Sequence, residues 1–199
     1  MIIAFNKPYN VLSQFTIECE GQETLAKFGF PKNVYPIGRL DADSEGLLLL
    51  SDESQVSNKL LNPKYGHIRT YWSQVEKIPE EKSLETLRKG ILIKDFRTLP
   101  AKASILNPQP KISDRNPPIR FRKNIPTCWV EIELKEGKNR QVRRMTASIG
   151  YPTLRLIRIK IGNYSIIEIG TNSNLIWKIK PGEWKILEQK QVKELLIRN

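Results

Sequence analysis

Arg39 and Asp41 stand two residues apart in the segment Gly38-Arg39-Leu40-Asp41-Ala42-Asp43-Ser44-Glu45-Gly46-Leu47. If the backbone there is extended, side chains two apart point the same way, so a guanidinium and a carboxylate share one surface. A fixed carboxylate beside a cation suits nucleophilic attack on an anionic polymer. The same residues also read as a turn in which Asp43 or Ser44 bonds the local backbone. Leu47 to Leu50 follow as a short buried strand, which anchors the polar segment before it.

A second group of charges lies in Glu136-Gly137-Lys138-Asn139-Arg140-Gln141-Val142-Arg143-Arg144-Met145. The pattern predicts a helix over 138–149 ended by Gly150. On it Val142, Met145, Thr146 and Ile149 form an apolar stripe, and Arg140, Arg143 and Arg144 share a neighbouring face. A solvated surface is the ordinary fate of such a run. Like charges at that spacing repel, however, so an anionic partner is the better reason for the arrangement. A helix start after Gly137 would also offer free backbone N–H groups to a phosphate.

Composition points the same way. The 199 residues hold 33 Lys and Arg against 21 Asp and Glu, a net charge of +12, which implies a polyanionic partner. The length suits one domain, or two small lobes sharing a sheet. No apolar run approaches the roughly 20 residues a membrane span needs, and Met1 to Pro8 lacks the order of a signal peptide. Cys19 and Cys128 are isolated thiols, consistent with a reducing cytosol, so a cytoplasmic location is expected. His67 is the single histidine, which argues against a zinc site or a Ser-His-Asp triad. Gly-rich phosphate loops are absent as well. Neither a metal nor a nucleotide cofactor is therefore expected.

The elements that must position these residues follow from pattern. Strands are expected at the start, at Arg69 to Val75, Cys128 to Leu134 and Thr153 to Ile161. Ile91 to Ile93 and Leu99 to Leu106 read as a pair of strands. A short helix fits Thr24 to Phe28; Ser51-Asp52-Glu53-Ser54 offers N-cap candidates for a helix through about Leu61, Pro79-Glu80-Glu81 opens another, and a terminal one spans Leu187 to Ile197. Residues 107–126 form a long polar connection with five prolines, and its Arg115, Arg120, Arg122 and Lys123 suit contact with a nucleic acid.

Several of these segments together resemble the RsuA-type RNA pseudouridine synthases. They are Phe5 to Leu12, Gly38 to Leu47, Arg115 to Arg120, Ile125 to Thr127, Glu136 to Met145 and Pro152 to Arg158. The resemblance covers nearly the whole chain. It implies an α+β catalytic fold, with a central, largely antiparallel mixed sheet, flanking helices and a basic cleft. Residues 1–199 would form one catalytic domain, without the N-terminal S4 domain of many relatives, acting as a monomer.

The implied reaction is cofactor-free isomerisation of a specific uridine in 23S ribosomal RNA to pseudouridine. Asp41 matches the family's attacking aspartate. Arg39 matches the arginine that enters the RNA stack where the target nucleotide is extruded. Tyr71 matches the tyrosine that packs on the flipped base and assists proton transfer. Arg143 matches the basic residue that pairs with the aspartate, while Arg140 and Arg144 of the charged face and Arg120 and Arg122 of the long connection are expected to contact the RNA. Most relatives have histidine where Arg140 stands. The usual Lys-x-Tyr-x-Val around the tyrosine is Arg69-Thr70-Tyr71-Trp72-Ser73 here. Glu45 is assigned to loop architecture, not chemistry. Outside the enzyme class, the alternative is a non-catalytic RNA-binding or ribosome-assembly protein. A glycoside hydrolase comes third, because no second acid pairs with Asp41.

Overall fold

The structure is a computed structural model that describes residues 1–62, 65–119, 125–170 and 175–196. Arg120, Arg122 and Lys123 lie outside the described residues. Strand β1 (Ile2–Lys7) leads through β2 (Val11–Leu12), β3 (Glu23–Thr24) and a 3-10 turn at Leu25–Phe28 to β4 (Tyr35–Ile37) and β5 (Glu45–Ser51). Helix α1 (Ser54–Leu61), β6 (Arg69–Glu76) and α2 (Glu81–Arg88) follow. Next come β7 (Leu92–Ile93), β8 (Phe96–Arg97), β9 (Lys102–Ile105), β10 (Thr127–Leu134) and α3 (Gln141–Ser148). The chain continues through β11 (Thr153–Ile161), β12 (Tyr164–Ser165), β13 (Ile167–Ile169) and β14 (Leu175–Trp177) to β15 (Trp184–Ile186) and α4 (Gln189–Leu196).

One large sheet organises these elements, with strand order β15-β1-β5-β11-β6-β10-β9, β4 added to β5 and β12 to β11. Its pairings are antiparallel except that of β5 with β11, which is parallel through Glu45↔Ile157 and Gly46↔Arg158. The expected α+β fold with a largely antiparallel mixed sheet is what the chain adopts. Both faces of the sheet are covered, which explains the unbroken leucine run in β5. Leu48 and Leu50 join Ile3, Phe5, Leu84 of α2 and Met145 of α3 in one core. Leu47 and Leu49 face the other way and join Ile2, Trp72, Leu60 of α1 and Leu195 of α4. None of the described helices is long and apolar enough to cross a membrane.

Three local readings need correction. Residues 91–93 do not pair with 99–106. The chain turns back at once, as β7 on β8, and Thr98 closes the hairpin with Ile91 through N–H to O (2.9 Å) and through its hydroxyl (3.0 Å). Residues beyond it are then free to lie along β10, with Ala103 opposite Ile132. The helix expected over 138–149 starts only at Gln141, because Arg140 is left-handed (φ 51°, ψ 33°). Its charges therefore cannot be read off a single wheel. Asp52 and Glu53, candidate caps for α1, instead bind the chain's N-terminal ammonium at 2.6 Å each.

The parallel junction of β5 and β11 demands glycine at position 46. Gly46 has φ of +102°, and a Cβ there would stand 2.3 Å from the Arg158 carbonyl oxygen. Positive φ at a non-glycine residue costs about 1–3 kcal/mol, and the clash would also push the two core strands apart. Gly46→Ala is expected to lower stability by about 3 kcal/mol in urea unfolding; an unchanged midpoint would contradict this packing.

Candidate active site

Between β4 and β5 the chain makes a polar turn that carries Arg39, Asp41 and Asp43. The turn closes on itself through Ser44 N–H to the Asp41 carbonyl (3.0 Å). So the bland turn reading holds as well, and it explains how the turn is shaped. Its backbone is then pinned residue by residue. The Ser13 hydroxyl donates to the Leu40 carbonyl (2.7 Å) and accepts from the Leu40 N–H (3.1 Å). The Ala42 carbonyl accepts from the Asn10 N–H (2.7 Å) and the Lys7 ammonium (3.4 Å). Lys7 is fully buried and also donates to the carbonyls of Val11 (2.8 Å) and Pro8 (2.9 Å). A buried ammonium with three acceptors ties the end of β1 to the turn.

From the far side, α3 and the residues before it hold Asp43. Arg140 grips its carboxylate with two parallel bonds, Nη1 to Oδ1 at 3.0 Å and Nη2 to Oδ2 at 2.9 Å. Arg143 donates from Nη2 to the Asp43 carbonyl (2.6 Å), places Nε 3.4 Å from Oδ2, and donates from Nη1 to the Thr153 carbonyl (3.2 Å). Burial pushes the Asp43 carboxyl up, but the bonds from Arg140 and the charges of Arg143 and Arg140 outweigh it and hold it below the ordinary aspartate value. Asp41, by contrast, makes one ion pair among the described residues, to Arg140 Nη1 at 3.6 Å. Arg143 makes its close contacts with Asp43, and the charge of Asp41 acts on it only at longer range.

The left-handed turn at Arg140 has its own supports. Gln141 accepts at Oε1 from the Lys138 N–H (2.9 Å) and donates to Glu136 (2.6 Å), which also accepts from the Leu99 N–H (2.8 Å). Arg39, Asp41, Tyr71 and Arg140 all line one cleft of about 870 Å³. Tyr71 stands on β6 with Arg69 two residues before it on the same side, and both face the cleft. Arg143 and Arg144 do not line it; Arg144 bonds Asn139 (2.8 Å). Thus four of the expected site residues share the cleft, Arg143 braces it from behind, and Arg120 and Arg122 fall outside the described residues.

Sequence reasoning missed Lys7, Asp43 and Arg155. Arg155 closes a buried fork on Glu45 (2.6 and 2.9 Å) and donates to the Ser113 carbonyl (2.8 Å), tethering the long connection. That gives Glu45 the architectural role expected of it. Arg115, on the same connection, lies 3.7 Å over the Tyr9 ring. Charged residues set within or at the ends of otherwise apolar strands were the available signal.

Known proteins resemble most of the chain. The sequence profile of the RNA pseudouridylate synthase family matches residues 1–148. The ribosomal large subunit pseudouridine synthase E of Vibrio parahaemolyticus is 49% identical over 187 residues, spanning 94% of this chain and 74% of that protein. Its namesake in Xanthomonas campestris is 44% identical over 194 residues, spanning 97% and 98%. A crystal structure of a pseudouridylate synthase superposes with a TM-score of 0.73 at 26% identity, covering 98% of this chain and 73% of that one.

Lys7 offers a test of the pinned turn. Burial pushes its ammonium down to about 7, against the pull of Glu45, Asp43 and Asp41. Below pH 7 folded and unfolded chains both hold the proton, and the full penalty of a buried charge is present. As pH rises from about 7 toward 10.5 only the unfolded chain still binds it, so the penalty fades. Relative to Lys7→Met, wild-type stability is expected to rise between pH 7 and 9.5, by about 3 kcal/mol. Parallel stability curves would contradict the buried charge.

Proposed function

The chain belongs to the RNA pseudouridylate synthase family, and on that footing we propose that it isomerises a specific uridine of 23S ribosomal RNA. Relatives named ribosomal large subunit pseudouridine synthase, at 44–50% identity, support the choice of RNA. The observation that carries the reading is the cleft, where Asp41, Arg39, Tyr71 and Arg140 converge. Its volume lies in the range of about 300–1,000 Å³ typical of pockets that enclose a small molecule. An extruded nucleotide fits that description.

In this reading Asp41 is the nucleophile. Its carboxylate attacks the target nucleotide at C1′ or at the base C6, the C1′–N1 bond breaks, the uracil turns, and C5 bonds to C1′. The C5 proton leaves to water and N1 gains one, so nothing is oxidised or reduced and no cofactor is required. Arg39, exposed at the rim beside Asp41, fills the gap left in the RNA stack. Tyr71 packs on the extruded base. Arg140, Arg144, Arg120 and Arg122 meet phosphates, in keeping with the net charge of +12. Arg143 serves by bracing the turn. With a ribosomal substrate, the enzyme works in the cytoplasm, as a monomer.

Incubating the protein with an unmodified 23S transcript, followed by nucleoside chromatography, is expected to reveal new pseudouridine. The yield should be unaffected by EDTA, and a 16S transcript should stay unmodified. RNA binding without pseudouridine, in free 23S RNA and in ribosomal particles alike, would favour the assembly-factor reading.

A further inference from the structure

Arg158 occupies a core position on β11. Leu156 before it packs with Tyr71 and Met145, while Ile157 and Ile159 turn to the opposite core. Alternation thus sends Arg158 to the face of Leu156. The register sets it directly across from Tyr71, so the two side chains leave the sheet on the same side. Both line the cleft with Asp41.

Its surroundings leave the guanidinium incompletely satisfied. Arg158 is 5% exposed, and Nε donates to the Leu47 carbonyl at 2.8 Å. Nη2 is buried and has no hydrogen-bond partner. Arg155, three residues earlier, shows what a satisfied buried arginine looks like, closed on Glu45 at 2.6 Å. Arg158 has no such carboxylate among the described residues. A buried cation without an anion is unfavourable. Its presence in the cleft that Asp41 also lines therefore calls for a partner that arrives with the substrate.

We propose that Arg158 is a catalytic residue whose unpaired Nη group donates to a carbonyl oxygen of the extruded uracil and holds the charge the base acquires during isomerisation. The inference rests on the reading of Asp41 as nucleophile. If Asp41 attacks C1′, the C1′–N1 electron pair leaves with the base, and the negative charge spreads onto O2 and O4. If it attacks C6, the displaced π electrons reach O4. Either route loads a carbonyl oxygen at the moment of bond breaking, where a fixed donor in a dry site is worth most. When C5 bonds to C1′ the pair returns to the new bond and the Asp41 carboxylate is released. Arg158 keeps its own proton and charge throughout.

Kinetics on a 23S fragment test this. Arg158→Met is expected to lower kcat by about 100-fold or more, with KM for RNA within about threefold and the fold retained. Arg158→Lys, which keeps the charge, should recover at least about tenfold of that loss. A kcat for Arg158→Met within threefold of wild type would overturn the proposal. So would a raised KM at unchanged kcat, which marks a phosphate anchor. Should the methionine variant not fold, Arg158→Lys is compared with Arg158→Gln: a tenfold advantage for lysine in kcat sustains the proposal, and equal rates refute it. Wild type and Asp41→Asn run alongside. A wild type that does not isomerise fails the function reading instead, whereas active wild type, inactive Asp41→Asn and unimpaired Arg158→Met sink the present inference alone.

Discussion

Arg140 stands 2.9–3.0 Å from Asp43 and 3.6 Å from Asp41, and this inequality sets the condition of the site. A guanidinium fork on a carboxylate is a strong, directional pair. Placed on Asp41 it would cap the lone pairs needed for attack. Placed on Asp43, it leaves Asp41 near a cation and still open to the cleft. Much of the architecture serves that placement. The left-handed backbone at Arg140, the Gln141–Glu136 bond and the short α3 aim the fork. Ser13, Asn10 and Lys7 hold the turn that receives it.

Buried cations are the second recurring device. Lys7, Arg155 and Arg158 all lie at core positions in strands that border the turn. Each meets its charge differently: three carbonyls for Lys7, a carboxylate fork for Arg155, and one carbonyl plus an unpaired N–H donor for Arg158. Leaving one partner of such a pair uncompensated typically costs about 3–5 kcal/mol. These groups therefore lock strand to strand in one register, and the sheet can present its polar turn in a single conformation.

What the sequence disclosed divides along the distance over which contacts act. The leucine run of β5, the alternation of β6 and β10 and the glycine after α3 are local signals, and each lies where pattern put it. The start of α3 departs from the pattern because the left-handed turn at Arg140 is held by distant contacts, to Leu99 through Glu136 and to Asp43 through the guanidinium. The partner of β9 was misread for a similar reason, since a hairpin closed by Thr98 releases the next strand to β10. In the site, residue types and family motifs marked Asp41, Arg39 and Tyr71. They could not distribute two arginines between two carboxylates two residues apart; only the three-dimensional path of residues 136–143 does that.

A held turn, a carboxylate left free on it and a cleft shaped for an extruded base form one account of an isomerase, whose centre is attack by Asp41. Tritium release from 23S RNA labelled at uridine C5, comparing wild type with Asp41→Ala, tests it most directly, because C5 must lose its hydrogen to become the glycosidic carbon. Release by wild type and none by Asp41→Ala, with RNA binding intact in both, is the predicted result. Equal release by the two proteins would contradict the account.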